Sequence, residues 1–268
     1  MRLWIVGWAL ALAWAACSTS PATSSQQGRS ATPADRATRT APAHRQVLAV
    51  ITPDWEQAAG HLYRLAWQDT AWQLVGEPIP VLIGRNGLGW GIGLADYRDR
   101  PGPAKQEGDL KSPAGIFALE TAFGYAPQAD FIRMPYAHVS ETLMCIEDTS
   151  SRAYNRIVDE ATVQADWNST DHMRRDDDLY EWGMLVAHNY DPALPGQGSC
   201  IFLHAWREGG RGTAGCTSLD KEHLRQVLAW LDPAAQPVLL QAPHTALADL
   251  AASLALPSDW RERWQADH

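Results

Sequence analysis

The sequence predicts a predominantly β domain with flanking helices. Most of its apolar stretches are four to eight residues long, which is the length of strands. Glycine and proline separate these stretches, as is typical of turns between strands. Helical spacing of apolar residues is found in few segments. The chain has 268 residues, of which 46% are hydrophobic, and this is enough for one large domain with a substantial core.

The first sixteen residues are typical of an export signal peptide. Arg2 precedes an apolar run, Leu3–Ala16, that is too short to span a bilayer comfortably. The C-terminal end of this apolar run fits two patterns of signal-peptide cleavage. Ala13-Trp14-Ala15 suits ordinary cleavage, whereas Trp14-Ala15-Ala16-Cys17 resembles a lipoprotein box, in which Cys17 would carry a lipid. Both patterns predict an exported bacterial protein of the periplasm or cell envelope. The second pattern adds a lipid on Cys17, which would be the one membrane contact.

Residues 17–44 are a predicted disordered tether. The segment is rich in Ser, Thr, Pro, Ala, Gln and Arg, and it contains no aromatic or large aliphatic residue from Ser18 to Ala43. Such a composition cannot bury enough apolar surface to offset the entropy of ordering the chain. We therefore expect the folded domain to span residues 45–240, followed by a C-terminal helical extension over residues 241–268.

Short apolar stretches predict the strands of this domain. They are Gln46–Thr52, His61–Trp67, Trp72–Val75, Val81–Ile83, Leu143–Ile146, Tyr180–His188 and Ser199–Ala205. Gln68-Asp69-Thr70 separates the second and third stretches, which predicts a hairpin. Gly108–Phe117 predicts a turn that leads into another strand, because proline and glycine fix the corner. Ser199–Ala205 is almost continuously apolar, as in a strand covered on both faces.

One amphipathic helix is predicted shortly after Cys216. Its apolar positions recur at helical spacing and are Leu224, Val227, Leu228 and Leu231. Ser218 is the expected N-cap and Pro233 the expected stop.

Charge and motif content exclude several classes of function. The formal charge of −9 and the lack of a Lys/Arg-rich run argue against a nucleic-acid partner. The glycine-rich segment 84–93 matches neither a P-loop nor a dinucleotide fingerprint. No HExxH motif or zinc-ligand spacing is formed by the histidines at positions 172, 188 and 204. The acidic run Asp176–Asp178 lacks the spacing of calcium ligands and is expected to be a solvated turn. We therefore predict neither a metal nor another cofactor.

The cysteines single out one reactive candidate. Of the four, Cys17 lies at the processing site, outside the expected folded domain, and is lipidated in one of the two patterns; the folded domain is left with three, an odd number. Cys145 and Cys200 lie in short apolar stretches, either as a disulfide or as two buried thiols. Cys216 lies in a polar turn directly before the predicted helix, where N–H groups and the helix dipole would lower a thiol pKa. Cys216 is therefore the candidate nucleophile.

His204 ends the predicted strand Ser199–Ala205. Strand alternation places Cys200, Phe202 and His204 on one face, which opens onto a cleft at the end of the strand. A histidine in an apolar strand is ordinarily a core residue. The glycine-rich connection to Cys216 can fold back, however, and the alternative is a Cys–His pair suited to nucleophilic catalysis. A papain-like protease is disfavoured because its cysteine precedes its histidine.

These segments resemble the catalytic signature of the L,D-transpeptidases, cell-wall enzymes with the YkuD-type fold. The resemblance rests on Ile201-Phe202-Leu203-His204 followed by Thr213-Ala214-Gly215-Cys216. Gly108–Phe117 (GDLKSPAGIF) is similar to the family's entry segment G-D-x-K/R-S/T-P-x-G-x-F, and residues 84–91 resemble a segment of one branch. The matches cover about residues 80–232 in the expected order. They imply a YkuD-like β-sandwich.

The resemblance implies acyl transfer on peptidoglycan stem peptides. Cys216 would be the nucleophile and His204 its base, with oxyanion donors on the backbone of Gly215 and Thr217. Expected substrate contacts, which could instead be solvated or packed side chains, are Trp206, Arg207, Arg211 and Thr213. In a transpeptidase the acceptor would be a stem amine or an envelope protein. If the acceptor is water, the protein is instead a hydrolase, such as an L,D-carboxypeptidase or an amidase. A non-catalytic envelope module that keeps the fold is a third alternative.

The chain departs from the family pattern around the nucleophile. Ala214 stands where many members have His or Arg, and Ser218 stands where many have Arg or Asn. His204 and Cys216 are twelve positions apart, a shorter separation than in most members. None of these departures removes the nucleophile or the base, so we expect them to affect substrate choice.

Overall fold

A computed structural model describes residues 40–207 and 209–260 of the chain. The predicted signal peptide, most of the predicted tether with Cys17, and the last eight residues lie outside the described residues. No helix within the described part is long and apolar enough to cross a membrane.

Strands make up most of the regular structure, as predicted. They are β1 (Gln46–Thr52), β2 (Ala59–Gln68), β3 (Ala71–Leu74), β4 (Ile79–Leu82), β5 (Leu88–Trp90), β6 (Ser112–Gly124), β7 (Tyr136–His138), β8 (Leu143–Ile146), β9 (Ile157–Asp159), β10 (Thr170–His172), β11 (Trp182–Val186), β12 (Phe202–Ala205), β13 (Thr217–Leu219) and β14 (Val238–Pro243). The α-helices are α1 (Lys221–Trp230) and α2 (Leu247–Ser253), and short 3₁₀ turns cover Asp178–Tyr180, Pro233–Ala235 and His244–Ala246.

The main sheet follows the order β1-β14-β6-β11-β12-β13-β4-β2-β3. Because β1 also pairs with β2, eight of these strands form a closed circuit. All seven residues of β1 are buried, and apolar side chains from strands around the circuit form one continuous core. The predicted mostly β fold with flanking helices is thus confirmed, and it is the β-sandwich architecture expected from the resemblance.

The predicted hairpin is formed by β2 and β3. Asp69 and Thr70 have φ angles of 48° and 65°, which is the left-handed geometry of a two-residue hairpin turn. Trp67 and Trp72 are directly opposite each other, and their rings meet edge to face with centroids 5.8 Å apart. Such cross-strand aromatic pairs stabilise a hairpin.

Helix α1 buries Leu224, Val227 and Leu228 as its spacing predicts, but its N-cap is not Ser218. Asp220 caps the helix by accepting hydrogen bonds from the N–H groups of Glu222 and His223. Ser218 lies in β13, opposite Leu82 of β4, because pairing with β4 and β12 keeps the chain extended after Cys216. A three-residue strand therefore separates Cys216 from the helix.

A second sheet of three strands, in the order β10-β8-β9, packs beside the main sheet. A disulfide between Cys145 of β8 and Cys200 joins it to the segment that leads into β12. Buried Asn155 adds a polar connection, since its side chain accepts the N–H of Cys200 and donates to the carbonyls of His188 and Asn189. These bonds fix the small sheet next to the start of β12.

The C-terminal part of the described chain belongs to the same core. Strand β14 continues three residues past residue 240 and pairs with both β1 and β6. Leu247 and Leu250 of α2, and Trp260 beyond it, pack against the core cluster. The structure therefore has no break in packing at residue 240.

Candidate active site

A polar turn holds the Cys216 backbone in place. Thr213 Oγ1 donates to the carbonyl of Cys216 at 2.6 Å and accepts the N–H of Gly215 at 3.1 Å. Ser112 Oγ, fully buried, donates to the carbonyl of Gly215 at 2.6 Å and accepts the N–H of Gly84 at 2.8 Å. Ser112 belongs to the GDLKSPAGIF segment, so the two sequence motifs are in direct contact at the nucleophile turn.

Asp109 of the same segment organises the neighbouring loop. Its carboxylate pairs with the ammonium of Lys105 at 2.6 Å and accepts the N–H groups of Gln106 and Lys111. Asn86, from the glycine-rich segment, donates to the carbonyl of Asp109. The charge of Asp109 is therefore used within the protein, to shape the loop that lines one part of the cleft.

The Cys216 thiol lies at the level of Phe202 on the neighbouring strand. Its sulfur accepts the N–H of Phe202 at 3.4 Å and lies 3.5 Å from the carbonyl oxygen of Cys200. Burial raises the pKa of Cys216 to about 12, and the negative charge of Asp171 adds to this. The predicted lowering of its pKa by a helix terminus is therefore wrong, because the thiol is buried and β13 separates it from α1.

His204 is buried on β12, two residues after Phe202. Its Nδ1 is 2.7 Å from the carbonyl oxygen of Ala205. A carbonyl can only accept, so Nδ1 carries the proton and Nε2 is left as the acceptor nitrogen. Burial lowers the pKa of His204 to about 4. Its imidazole is therefore neutral at pH 7 and is suited to take a proton.

Parallel pairing of β12 with β13 brings the two side chains to one cleft. Leu203 is opposite Thr217 and His204 is opposite Ser218, so Cys216 is level with Phe202. Both Cys216 and His204 line a cleft of about 540 Å³. At neutral pH the two shifted pKa values leave a neutral thiol and a neutral imidazole, rather than a thiolate–imidazolium pair.

Three of the four predicted substrate contacts line this cleft. Trp206, Arg207 and Thr213 do so, whereas Arg211 is exposed and lies outside the cleft lining. Arg207 pairs with Asp177 at 2.8 Å, and Thr213 is occupied with the nucleophile turn.

The two predicted oxyanion positions differ in their surroundings. Gly215 lines the cleft, but its N–H is already donated to Thr213. Thr217 is fully buried and lies outside the cleft lining, and its hydroxyl donates to Gln241 at 2.7 Å. The N–H of Cys216 itself lies between these two positions.

Three charged or polar residues that the sequence did not single out also line the cleft. Glu147 follows β8, Asp171 lies on β10, and Tyr180 ends a 3₁₀ turn. Burial, with the charges of Asp171 and Glu107, raises the pKa of Glu147 to about 7. Their positions in the sequence carried no signal, because the small sheet brings Glu147 and Asp171 to the cleft and a 3₁₀ turn brings Tyr180 there.

The acidic run at 176–178, predicted to be a solvated turn, is partly structural. Asp177 caps the 3₁₀ turn and pairs with both Arg175 and Arg207. Its hydrogen bond with Arg175 lowers the pKa of Asp177 to about 2. Within the described ranges, no group of three or more His, Cys, Asp or Glu side chains is placed to hold a metal ion.

The fold and the cleft define a β-sandwich protein with a cysteine–histidine site. The family model for the L,D-transpeptidase catalytic domain, YkuD, matches residues 63–240, which is more than half of the chain. The chain belongs to this family.

Other comparisons add little to this assignment. No curated protein sequence matches the chain. Among solved structures, the chain is similar to the helical cell shape determining protein Pgp2 from Campylobacter jejuni, at 14% identity and a TM-score of 0.36. That alignment covers 75% of this chain and 48% of Pgp2, so the chain spans about half the length of that protein.

Proposed function

We propose that the protein is a peptidoglycan L,D-transpeptidase in which Cys216 is the nucleophile and His204 the base. The observation that carries this proposal is the shared cleft, which is lined both by a free thiol and by a neutral histidine whose Nδ1 is held by the Ala205 carbonyl. Family membership supplies the substrate class, the stem peptides of the cell wall.

The reaction begins with proton transfer from a neutral pair. His204 Nε2 takes the thiol proton as the sulfur attacks the carbonyl between the L-centre of a diamino acid and the following D-Ala. Because the resting thiol has a raised pKa, ionisation and attack are coupled in this scheme. The imidazolium then protonates the departing D-Ala amine, which leaves a thioester on Cys216.

An incoming amine completes the transfer. Its nitrogen attacks the thioester carbonyl and gives a proton to His204. The C–S bond then breaks, and the imidazolium protonates the departing sulfur, which regenerates the thiol. The oxyanion formed at each step needs preorganised donors, worth about 3–4 kcal/mol for one donor in other enzymes. We assign this role to the backbone at Gly215–Thr217. The N–H of Cys216 is the best placed donor there, since that of Gly215 is held by Thr213 and Thr217 lies outside the cleft lining.

The loop between base and nucleophile supplies the proposed substrate contacts. Trp206 and Arg207 line the cleft, and Arg207 is exposed enough to exchange Asp177 for a substrate carboxylate. Arg211 would meet substrate only outside the cleft. We further propose that the protein is exported, with its acceptor, a stem amine or an envelope protein, in the periplasm or cell envelope.

Product analysis separates the proposal from its alternatives. The purified protein is incubated with a disaccharide–tetrapeptide, and the products are identified by mass spectrometry. Cross-linked dimer supports transpeptidation, and tripeptide with free D-Ala but no dimer indicates a hydrolase. No turnover by the wild-type protein would contradict both and favour a non-catalytic envelope module.

A carbapenem tests the assigned nucleophile independently of the acceptor. It should add its mass to the wild-type protein and leave Cys216→Ala unlabelled. His204→Ala should be labelled about 10²–10⁴-fold more slowly, because proton transfer by a positioned base contributes a factor of that size. Labelling of Cys216→Ala would move the nucleophile to another residue.

A further inference from the structure

The glycine-rich segment 84–93 contacts the nucleophile turn, although the reaction scheme above gives it no role. The N–H of Arg85 donates to the carbonyl of Thr213 at 2.9 Å, and the N–H of Thr213 donates to the carbonyl of Ile83 at 2.8 Å. The hydroxyl of Thr213 in turn holds the carbonyl of Cys216. The backbone at Arg85 is therefore fixed relative to the nucleophile.

Two further contacts restrict the Arg85 backbone. A Cβ atom on Gly212 would lie 2.8 Å from the Cα of Arg85, so the two backbone segments are in direct contact. On the other side, the N–H of Asn86 donates to the carbonyl of Leu110 at 3.0 Å. Arg85 lines the cleft together with Gly212 and Leu110, and it is exposed. A rigid piece of backbone thus carries an accessible guanidinium at the cleft.

Arg85 differs from the other cations of the cleft in its lack of a carboxylate partner. The other Lys and Arg side chains of the cleft lining each lie within 2.9 Å of a carboxylate oxygen, and they are Lys105, Arg175 and Arg207. Arg85 forms no ion pair with any carboxylate in the described part of the chain. Its positive charge is therefore not neutralised there by the protein.

The nucleophile turn has no charge of its own. Residues 213–218 are Thr, Ala, Gly, Cys, Thr and Ser. A substrate carboxylate bound beside this turn therefore needs a cation from another segment. Arg207 can supply one only by giving up its ion pair with Asp177, whereas Arg85 loses no ion pair. The planar guanidinium also matches a carboxylate with two parallel N–H donors.

We propose that Arg85 binds a carboxylate of the stem peptide in the cleft that Cys216 and His204 share. The inference deepens the proposed function and rests on it for the substrate class. A tetrapeptide stem has a carboxylate on its C-terminal D-Ala and others along the peptide. Each of these suits the site chemically, because the guanidinium recognises the carboxylate group itself.

Binding to a protein that cannot react tests the proposal without turnover. The full-length Cys216→Ala variant is titrated with the disaccharide–tetrapeptide by isothermal titration calorimetry. Adding Arg85→Gln should raise Kd by about tenfold, the lower end of the range for hydrogen bonds to charged groups. Adding Arg85→Lys should raise it by only about threefold, since the charge is kept and the two parallel donors are lost. An unchanged Kd in Arg85→Gln, or no measurable binding to Cys216→Ala, would overturn the proposal.

A set of modified tetrapeptides identifies the carboxylate that Arg85 binds. In each peptide a different carboxylate is replaced by a primary amide. One of these amides should weaken binding to Cys216→Ala by about the same factor as Arg85→Gln does, and the two changes together should cost no more than either alone. Additive losses for every amide would mean that Arg85 contacts none of the carboxylates, which would overturn the proposal.

The matched control is Arg152→Gln in the Cys216→Ala background. It removes the same charge from an exposed side chain that pairs with Asp166 outside the cleft lining. Its Kd should equal that of Cys216→Ala, and a rise as large as that of Arg85→Gln would indicate a general charge effect and overturn the proposal. Because Arg85 is exposed, its variants should unfold at the wild-type temperature, which a thermal scan checks.

Turnover separates this inference from the proposed function. With Cys216 present, Arg85→Gln should raise KM by about tenfold and leave kcat within about twofold, because contacts made equally to substrate and transition state change KM alone. A tenfold effect on Kd without turnover by the wild type would support the role of Arg85 and contradict the proposed function. Normal turnover with the same Kd and KM in Arg85→Gln would do the reverse.

Discussion

Replacing Ser112 with alanine should disrupt the nucleophile turn from a position 104 residues upstream of Cys216. The Ser112 hydroxyl is fully buried and joins the Gly215 carbonyl at 2.6 Å to the Gly84 N–H at 2.8 Å. Alanine fits the space but leaves both partners without a hydrogen bond. At about 1–3 kcal/mol for each of the two buried unsatisfied groups, the expected loss of unfolding free energy is about 2–6 kcal/mol.

Urea unfolding of Ser112→Ala and wild type measures this loss. Ser253→Ala is the control, since that hydroxyl donates to the Leu250 carbonyl at the exposed end of α2, and it should cost less than about 1 kcal/mol. We expect carbapenem labelling of Ser112→Ala to slow by at least about tenfold under conditions where it is folded. Stability within about 0.5 kcal/mol of wild type, together with normal labelling, would refute the proposed coupling of the two motifs.

Three further outcomes follow from the shifted pKa values and the disulfide. Since the pKa of His204 is lowered to about 4 and the base must be neutral, kcat/KM should not fall between pH 7 and about pH 5, and an acid limb centred near 6.5 would contradict this assignment. The pKa of Glu147 is raised to about 7, so the folded state favours its protonated form, and this contribution to stability is lost as pH rises from about 4.5 through 7. At pH 8 the Glu147→Gln variant should therefore unfold with a free energy about 1–2 kcal/mol larger than that of the wild type, after allowance for solvent screening. At pH 4 the two proteins should be equally stable. The Cys145–Cys200 disulfide closes a loop with a sequence separation of 55. The Cys145→Ala/Cys200→Ala double variant should therefore lose up to about 4 kcal/mol of unfolding free energy, as measured by urea unfolding. No loss would show that Asn155 and packing alone fix the small sheet.

Local patterns in the sequence account for much of the fold. β1 and β8 have the bounds that their apolar runs predict, and Asp69-Thr70 forms the predicted hairpin turn. The apolar spacing of Leu224, Val227 and Leu228 locates α1. The N-cap was misassigned because Ser218 and Asp220 are both good caps by residue type. Only pairing of β13 with β4 and β12 decides between them.

The site was predictable in its residues but not in its electrostatics. The order of His204 and Cys216 along the chain, with the segment around Ser112, was enough to propose two side chains that the structure places in one cleft. Burial shifts the pKa of both side chains, and that of Cys216 depends also on Asp171, which belongs to a separate sheet. The sequence left open whether Cys145 and Cys200 are bonded, and the structure answers this with the disulfide that fixes that sheet.

The closed circuit of strands has a consequence for how the chain folds. Its closure depends on β1 lying parallel to β14, so that Val47 near one end of the described chain pairs with Val238 near the other. Contacts between such distant positions slow folding, since a long loop must close before they form. A chain lacking β14 would leave β1 and β6 with exposed edges, which invite aggregation. We therefore expect the circuit of strands to close only once synthesis has passed residue 243, and truncations that remove β14 to prevent folding.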